Sequence, residues 1–181
     1  VDIPVFASIN CISDTEWVDF AEKMQSAGAD GLELNLFIMP NDPEFDGQTL
    51  EDVYFNVVRK IRGHIDMPVA LKMSSYFSGL ANTFVKLSKE DVQALVLFNR
   101  FYSPDIDLNK EEVAARNVFS SPDAISHSLR WIGMLADEVE CDLAASNGVH
   151  DGYGVLKNLL VGAKAVQVVS ALYKNSPAYI Q

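Results

Sequence analysis

Residues 142–174 read DLAASNGVHDGYGVLKNLLVGAKAVQVVSALYK and contain two apolar, strand-like runs, DLAAS and AVQVVS. The first run is followed by SNGVHDGYG, a polar turn rich in glycine. Apolar residues then recur at helical spacing until Gly162, at Val155, Leu156, Leu159 and Leu160. A strand, a helix and a second strand in this order predict two parallel strands whose carboxyl ends lie at one edge of a sheet.

The same alternation extends through the whole chain. Six runs have strand character: VFASI (5–9), GLELNL (31–36), PVALKM (68–73), ALVLF (94–98), DLAAS (142–146) and AVQVVS (165–170). Helical patterns begin near Trp17, Leu50 and Ile125 as well as near Val155. This repeated βα unit predicts a parallel sheet covered by helices. The stretch 100–121 is irregular, and a loop of that length is typical of a lid or a binding loop.

Six parallel strands fit either a doubly wound open sheet or an incomplete (β/α)8 barrel, since a whole barrel needs about 250 residues. The polar residues favour the barrel. Glu33 and Asn35 share one face of GLELNL, and Lys72 lies opposite the apolar residues of PVALKM. A barrel directs such faces into its lumen, whereas an open sheet has apolar helices on both faces and offers Lys72 no obvious partner. We therefore expect an α/β fold of the TIM-barrel type.

The composition is that of an ordinary globular protein, with 181 residues of which 49% are hydrophobic and 22% charged. The net charge of −11 argues against nucleic acid as a partner, and no run of 18 apolar residues is present to span a membrane. The first residues resemble a strand rather than a signal peptide. Cys11 and Cys141 suit reduced thiols of a cytoplasmic protein, and the scattered histidines predict no metal site.

Polar side chains recur where the predicted strands end. They are Asn10, Asn35, Lys72, Asn99, Asn147 and Ser170. Ligands bind at the carboxyl ends of parallel strands in barrels and in open sheets alike. Because an amide both donates and accepts hydrogen bonds, this set suits a ring with alternating donors and acceptors, such as a flavin or a pyrimidine. Any one of the asparagines is equally compatible with capping a loop.

Lys72 is the most informative single residue, because a lysine within an apolar strand needs a partner when it is buried. One interpretation is an ion pair with Glu33. The other is a cation beside a cofactor ring, since reduced flavin carries negative charge near N1 and an ammonium would stabilise it.

The strand ends at Asn147-Gly148 and Ser170-Ala171 together predict a phosphate site. In barrels the loops after the last two strands frequently bind phosphate through main-chain amides, and Gly148 allows close approach of the backbone. The glycine spacing does not match a Rossmann dinucleotide motif. The alternative is an ordinary βα turn in which Gly148 only relieves strain.

Three motifs resemble the dihydroorotate dehydrogenase family, FMN-dependent barrels of pyrimidine synthesis. LNLFIMPN (34–41) resembles the family's LNLSCPN loop, and ALKMSSYF (70–77) resembles its strand with the flavin lysine. The longest match is residues 145–174, which resemble the G-G-I…G-A…Q-x-x-[ST]-A-L phosphate cradle. The resemblance implies a partial FMN-binding TIM-barrel domain over residues 1–181, with the first strands and the final helix of a complete barrel absent from this chain.

The resemblance also implies roles for individual residues. Lys72 aligns with the lysine beside flavin N1, and Asn35 and Asn99 align with amides that contact FMN or the orotate ring. The phosphate-binding backbone aligns with Asn147, Gly148, Ser170 and Ala171. Asn41 aligns with a substrate amide. Asn10 matches an FMN-contacting amide only in some branches of the family.

The loop after the second strand departs from the family. There a Cys or Ser takes a proton from C5 of dihydroorotate while hydride leaves C6 for flavin N5. Here the region holds Ile38 and Met39, which cannot accept a proton, so the catalytic base is unknown. Cys11 follows a different strand and is no substitute. Arg100 follows Asn99, where it could grip a carboxylate or fill the substrate site.

Three hypotheses follow from these residues. The first is an FMN-dependent oxidoreductase that acts on dihydroorotate or a similar cyclic substrate. Its electron acceptor is not identified by the sequence, and a homodimer is one possible assembly. The second is an FMN-binding protein of the same family without dihydroorotate activity. The third is another phosphate-binding barrel, for example one for a sugar phosphate.

Overall fold

The computed structural model describes residues 2–11, 14–36, 38–101, 103–115 and 118–180. The strands in these ranges are β1 (Phe6–Ile9), β2 (Gly31–Asn35), β3 (Val69–Met73), β4 (Ala94–Leu97), β5 (Pro104–Asp107), β6 (Glu112–Ala115), β7 (Asp142–Ala145) and β8 (Ala165–Val166). The helices are α1 (Asp14–Ser26), α2 (Gly47–Arg62), α3 (Leu80–Leu87), α4 (Ile125–Leu135), α5 (Gly152–Leu160) and α6 (Ser170–Asn175). Short 3-10 turns cover Pro122–Ala124 and Pro177–Ile180.

Six strands form one parallel sheet in the order β1-β2-β3-β4-β7-β8. This order follows the chain without reversal, whereas a doubly wound sheet reverses its order at a switch point. The sheet also curls: Lys72 of β3 donates a 2.9 Å hydrogen bond to Gln167, which directly follows β8 although β4 and β7 lie between. The predicted incomplete barrel is confirmed as a curled half-barrel.

The convex face of the sheet packs against the helices and forms the core. Alternate strand residues are buried there, among them Leu34, Leu71 and Leu95, each 0% exposed. They share one apolar cluster with Tyr54 of α2 and Phe84 of α3. Each such leucine contributes about 1.5–3 kcal/mol on burial. The alternating pattern of the strands therefore produces the core on this face.

The concave face carries small and polar side chains. Ala70, Val96 and Ala144 form a separate small apolar cluster on this side. The register sets Glu33 opposite Ala70 and Asn35 opposite Lys72. These strands line a lumen cavity of about 430 Å³. The polar faces predicted to point into the barrel do so.

The stretch 100–121, expected to be irregular, contains an antiparallel hairpin instead. β5 pairs with β6 from Pro104 opposite Ala115 to Asp107 opposite Glu112. Asp107 closes the turn by accepting hydrogen bonds from the amides of Asn109 and Lys110, at 2.9 and 3.3 Å. Both strands are largely exposed, so they carry no alternation of buried residues that would mark them in the sequence.

The helices differ from the sequence patterns in two places. α3 has no counterpart among the predicted helices; its N-cap, Gly79, provides no side-chain hydrogen bond, and the helix buries Leu80, Phe84 and Leu87. The α5 stripe was predicted, yet Leu156 and Leu160 are 52% and 77% exposed. Within the described ranges, no helix has the length and apolar character needed to cross a membrane.

Candidate functional site

A cavity of about 200 Å³ opens at the carboxyl ends of the strands. It is lined by residues that follow or end β3, β4, β7 and β8 and by the segment after β6. They are Lys72, Asn99, Arg100, Val118, Ser120, Ser146, Asn147, Gly148, Val149, Gln167, Val169 and Ser170. We call this space the Lys72 cavity. It brings together five of the predicted site residues, namely Lys72, Asn99, Asn147, Gly148 and Ser170.

The other predicted site residues lie beside this cavity or away from it. Asn35 contacts Asn99, as described below. Ala171 is 0% exposed next to Ser170. Asn10 is exposed after β1 and does not line the cavity. Asn41 lines a different cavity, between the loops after β2 and β3.

Lys72 has two partners on the lumen side. Its ammonium lies 2.9 Å from Gln167 Oε1 and 3.5 Å from Glu33 Oε1. Glu33 also accepts hydrogen bonds from Ser8 Oγ at 2.8 Å and from Gln167 Nε2. The ion pair with Glu33, one of the two interpretations of Lys72, is therefore present. Lys72 also lines the cavity, so its ammonium can contact a ligand there while it is paired with Glu33.

Asn99 and Asn35 join two strands that are not neighbours. Asn99 Nδ2 donates a 2.7 Å hydrogen bond to Asn35 Oδ1, although β3 lies between β2 and β4. This contact couples the orientations of the two amides, because the nitrogen of one must face the oxygen of the other. Asn99 also lines the Lys72 cavity.

The turn after β7 places a buried acceptor at the cavity. Among the described residues, the side-chain oxygens of Asn147 and Asn158 are the buried ones without a hydrogen-bond partner. Asn147 and Gly148 both have positive φ, of 81° and 74°. Buried acceptors are normally satisfied, so the Asn147 oxygen is suited to a ligand donor.

Gly148 serves a packing role that the sequence did not reveal. A Cβ at this position would lie 2.1 Å from the backbone nitrogen of Ile125 and 2.7 Å from the carbonyl carbon of Ala124. The backbone at the start of α4 therefore leaves no room for a side chain at position 148. The close backbone approach predicted for Gly148 is made in this structure by the chain's own backbone at Ala124 and Ile125.

The segment after the hairpin closes one side of the cavity. Ser120 is 6% exposed, and its amide and hydroxyl each lie 3.0 Å from Ser170 Oγ. The Ser120 hydroxyl also lies 3.1 Å from His150 Nε2. Arg100 donates to the carbonyl of Val118. The long stretch after β4 therefore contacts the predicted phosphate corner, which the sequence pattern alone did not indicate.

The loop after β2 forms a second cavity, of about 450 Å³. Its lining is mainly apolar and includes Ile38, Met39, Phe45, Tyr76 and Phe77, together with Asn41. Ile38 and Met39, in the region where the resemblance places a base, cannot accept a proton, although the carboxylates of Asp42 and Asp46 also line this cavity.

The two cysteine thiols are poor bases and nucleophiles in this environment. Burial, and secondarily the nearby Asp142, raises the pKa of Cys141 from 9.0 to about 11. Burial, and then Glu16, also raises the pKa of Cys11. The described residues contain no cluster of His, Cys, Asp or Glu that could hold a metal ion.

Comparison with known sequences assigns the chain to a protein family. The sequence model of the dihydroorotate dehydrogenase family matches residues 1–181. The chain belongs to the dihydroorotate dehydrogenase family. It is 25% identical to the catalytic subunit of dihydroorotate dehydrogenase B (NAD(+)) from Thermoplasma volcanium, over 94% of this chain and 58% of the relative. It is 28% identical to the same subunit from Pyrococcus furiosus, over 95% and 58%.

The chain also matches a relative named as a different type of dihydroorotate dehydrogenase, and a solved structure of another enzyme. Dihydroorotate dehydrogenase A (fumarate) from Lacticaseibacillus paracasei is 24% identical, over 95% of this chain and 61% of the relative. A crystal structure of dihydrodipicolinate synthase from Agrobacterium tumefaciens has the same fold, with a TM-score of 0.59 at 16% identity, over 98% of this chain and 50% of that one. The chain thus spans about three fifths of these curated relatives.

Proposed function

We propose that this chain forms the cofactor-binding part of an FMN-dependent oxidoreductase that oxidises dihydroorotate or a related cyclic substrate. Membership of the dihydroorotate dehydrogenase family supports the reaction class. The observation that carries the proposal is a partly buried lysine at the floor of a polar cavity at the carboxyl ends of the strands. In bound form FMN would accept a hydride from the substrate.

The donor and acceptor set of the Lys72 cavity fits FMN. Lys72 offers an ammonium to the acceptor edge of a flavin ring, where negative charge develops on reduction. The unpartnered Asn147 oxygen suits a hydroxyl of the ribityl chain. The Ser170 hydroxyl lines the cavity at the start of α6, so we assign the phosphate to this corner through that hydroxyl.

The Lys72 cavity, at about 200 Å³, is smaller than the 300–1,000 Å³ typical of ligand pockets, so it would hold only part of FMN. The lumen cavity of about 430 Å³ shares Gln167 with it but is lined mainly by residues at the amino ends of the strands, such as Pro68, Gln93 and Asp142. We therefore assign the cofactor to the carboxyl-end side, with the part nearest Lys72 and Ser170 inside the Lys72 cavity.

The apolar residues in the region of the family's base favour a second candidate function. Ile38 and Met39 occupy the region of the family's base, and general-base catalysis is worth about 10²–10⁴-fold in rate. An FMN-binding member of the family without dihydroorotate activity would need no base there. A cyclic substrate whose oxidation requires no such proton transfer would also fit.

The two candidates are separated by one experiment with two stages. The chain is titrated with FMN while flavin fluorescence and the visible spectrum are followed, and the complex is then mixed with dihydroorotate under anaerobic conditions. Bleaching of the flavin band supports the oxidoreductase, whereas a stable yellow complex supports the FMN-binding protein. A chain that binds no FMN contradicts both.

The remaining aspects of the function belong to the same proposal. We propose a small-molecule substrate, a cytoplasmic location and no nucleic-acid partner. Two relatives carry NAD(+) and fumarate in their names, and both compounds are candidates for the electron acceptor. A homodimer is proposed as the assembly, to be checked by light scattering.

A further inference from the structure

We propose that Glu33 is a positioning residue, which holds Lys72 and orients Gln167 so that the floor of the Lys72 cavity presents hydrogen-bond donors to its ligand. The inference rests on the proposed function, because it concerns the same cavity.

Three donors converge on the Glu33 carboxylate. Ser8 Oγ lies 2.8 Å and Lys72 Nζ 3.5 Å from Oε1, while Gln167 Nε2 donates to Oε2. These donors come from β1, β3 and the end of β8, so one side chain ties both edges of the half-barrel to its middle. An ionised carboxylate only accepts hydrogen bonds and an ammonium only donates them, so the roles of Glu33 and Lys72 in this set cannot reverse.

The orientation of Gln167 follows from these two fixed roles. Because the Gln167 nitrogen donates to Glu33, its oxygen faces Lys72, from which it accepts a 2.9 Å hydrogen bond. The ammonium has three donors, and two of them are directed to Glu33 and Gln167. One donor of Lys72 is left for a ligand in the cavity, and the ligand edge that it meets must be an acceptor.

Burial of Glu33 and Lys72 strengthens the hydrogen bonds that hold them together. The side chain of Glu33 is 7% exposed and that of Lys72 is 18% exposed. Water therefore competes weakly for these groups, and a charge without its partner would be costly here. Removal of the Glu33 charge should release Lys72 from its fixed position and allow the Gln167 amide to turn over.

The release of Lys72 can be measured without any cofactor. The chain is treated with formaldehyde and a borohydride reagent, and methylation of each lysine is followed by mass spectrometry. In Glu33→Gln we expect Lys72 to react several-fold faster than in the wild type, with the exposed Lys157 unchanged as an internal reference. The matched control is Glu138→Gln, which removes the same charge from an exposed site. An unchanged Lys72 rate in Glu33→Gln overturns the proposal.

A second variant, Gln167→Leu, tests the proposal if Glu33→Gln does not fold. Gln167→Leu keeps the ion pair but removes one of the two acceptors of Lys72, so methylation of Lys72 should again be faster than in the wild type. Equal rates in Gln167→Leu and the wild type would overturn the proposal independently.

FMN binding distinguishes the failure of this inference from that of the proposed function. The dissociation constant of FMN should rise about fivefold in Glu33→Gln and stay unchanged in Glu138→Gln, as expected for the loss of about one oriented hydrogen bond. Wild-type chain that binds no FMN contradicts the proposed function but leaves the methylation result standing. Wild-type binding with equal affinity in Glu33→Gln contradicts the positioning role alone.

Discussion

Asn99 Nδ2 donates a hydrogen bond of 2.7 Å to Asn35 Oδ1, across the strand that separates β2 from β4. The two amides hold the carboxyl ends of these strands together at the edge of the Lys72 cavity. Asn99 also lines that cavity, so the contact links the strand ends to the candidate site.

We expect this contact to contribute measurable coupling to stability. Asn35→Ala and Asn99→Ala should each destabilise the fold, and the double variant should be less destabilised than the sum by about 1 kcal/mol. Urea unfolding of the four proteins measures this value. Asn109→Ala, in the exposed hairpin turn, is the matched control. Additive effects of the two substitutions would show that the amides do not stabilise each other.

Gly148 should be intolerant of any side chain. Gly148→Ala places a Cβ 2.1 Å from Ile125 N and requires a φ of +74°, so we expect a loss of about 2 kcal/mol or more. Gly152→Ala, where nothing lies within 4 Å of the added Cβ, should be neutral or slightly stabilising. Thermal unfolding compares the two. Equal melting temperatures would mean that the start of α4 does not press against Gly148.

The thiol of Cys141 should react slowly. At pH 8 a pKa of about 11 in place of 9.0 leaves about 100-fold less thiolate than in the unfolded chain. Labelling with a disulfide reagent in the native state and in urea measures the ratio. Rapid labelling of native Cys141 at pH 8 would contradict its burial.

The same shift predicts a pH dependence of stability. Because the folded-state pKa of Cys141 is raised, the native state binds more protons than the unfolded state between about pH 9 and 11. The contribution is complete below pH 9 and is lost as the pH rises toward 11. Cys141→Ala should flatten the fall in stability over this window; an identical pH profile in the variant would count against the shift.

Ser170 should contribute to FMN affinity through its hydroxyl. Ser170→Ala should raise the dissociation constant of FMN about tenfold, the loss expected for one hydrogen bond to a charged group. Ser26→Ala, at an exposed position that ends α1, is the control. Unchanged FMN affinity in Ser170→Ala would contradict the placement of the phosphate at the first turn of α6.

The sequence predicted the six-stranded sheet well because its strands are short apolar runs separated by helical patterns. Glu33, Asn35 and Lys72 marked the lumen side by alternation with apolar neighbours, and in the structure Leu34 and Leu71 pack in the core whereas Glu33 and Lys72 meet in the lumen. β8 is shorter than predicted, since Ala165 and Val166 are its two paired residues. The hairpin of β5 and β6 was missed because its residues are exposed and its pairing is set by the Asp107 turn.

The candidate site was predictable only in part, since its remaining contacts join residues far apart in the chain. Gln167 contacts Lys72 and Glu33 only because the sheet curls. Ser120 reaches Ser170 through the hairpin segment. Asn41 follows β2 in sequence, yet the course of its loop places it in the second cavity. No spacing rule along the chain encodes these three outcomes.

The binding of FMN in the Lys72 cavity is tested most directly by a crystal structure of the chain grown with this nucleotide. We expect density for the phosphate near Ser170 and the Asn147 turn, and density for an acceptor edge of the ring within hydrogen-bond distance of Lys72 Nζ. Crystals of the saturated protein in which this cavity holds no flavin, or in which the flavin lies elsewhere, would contradict the assignment.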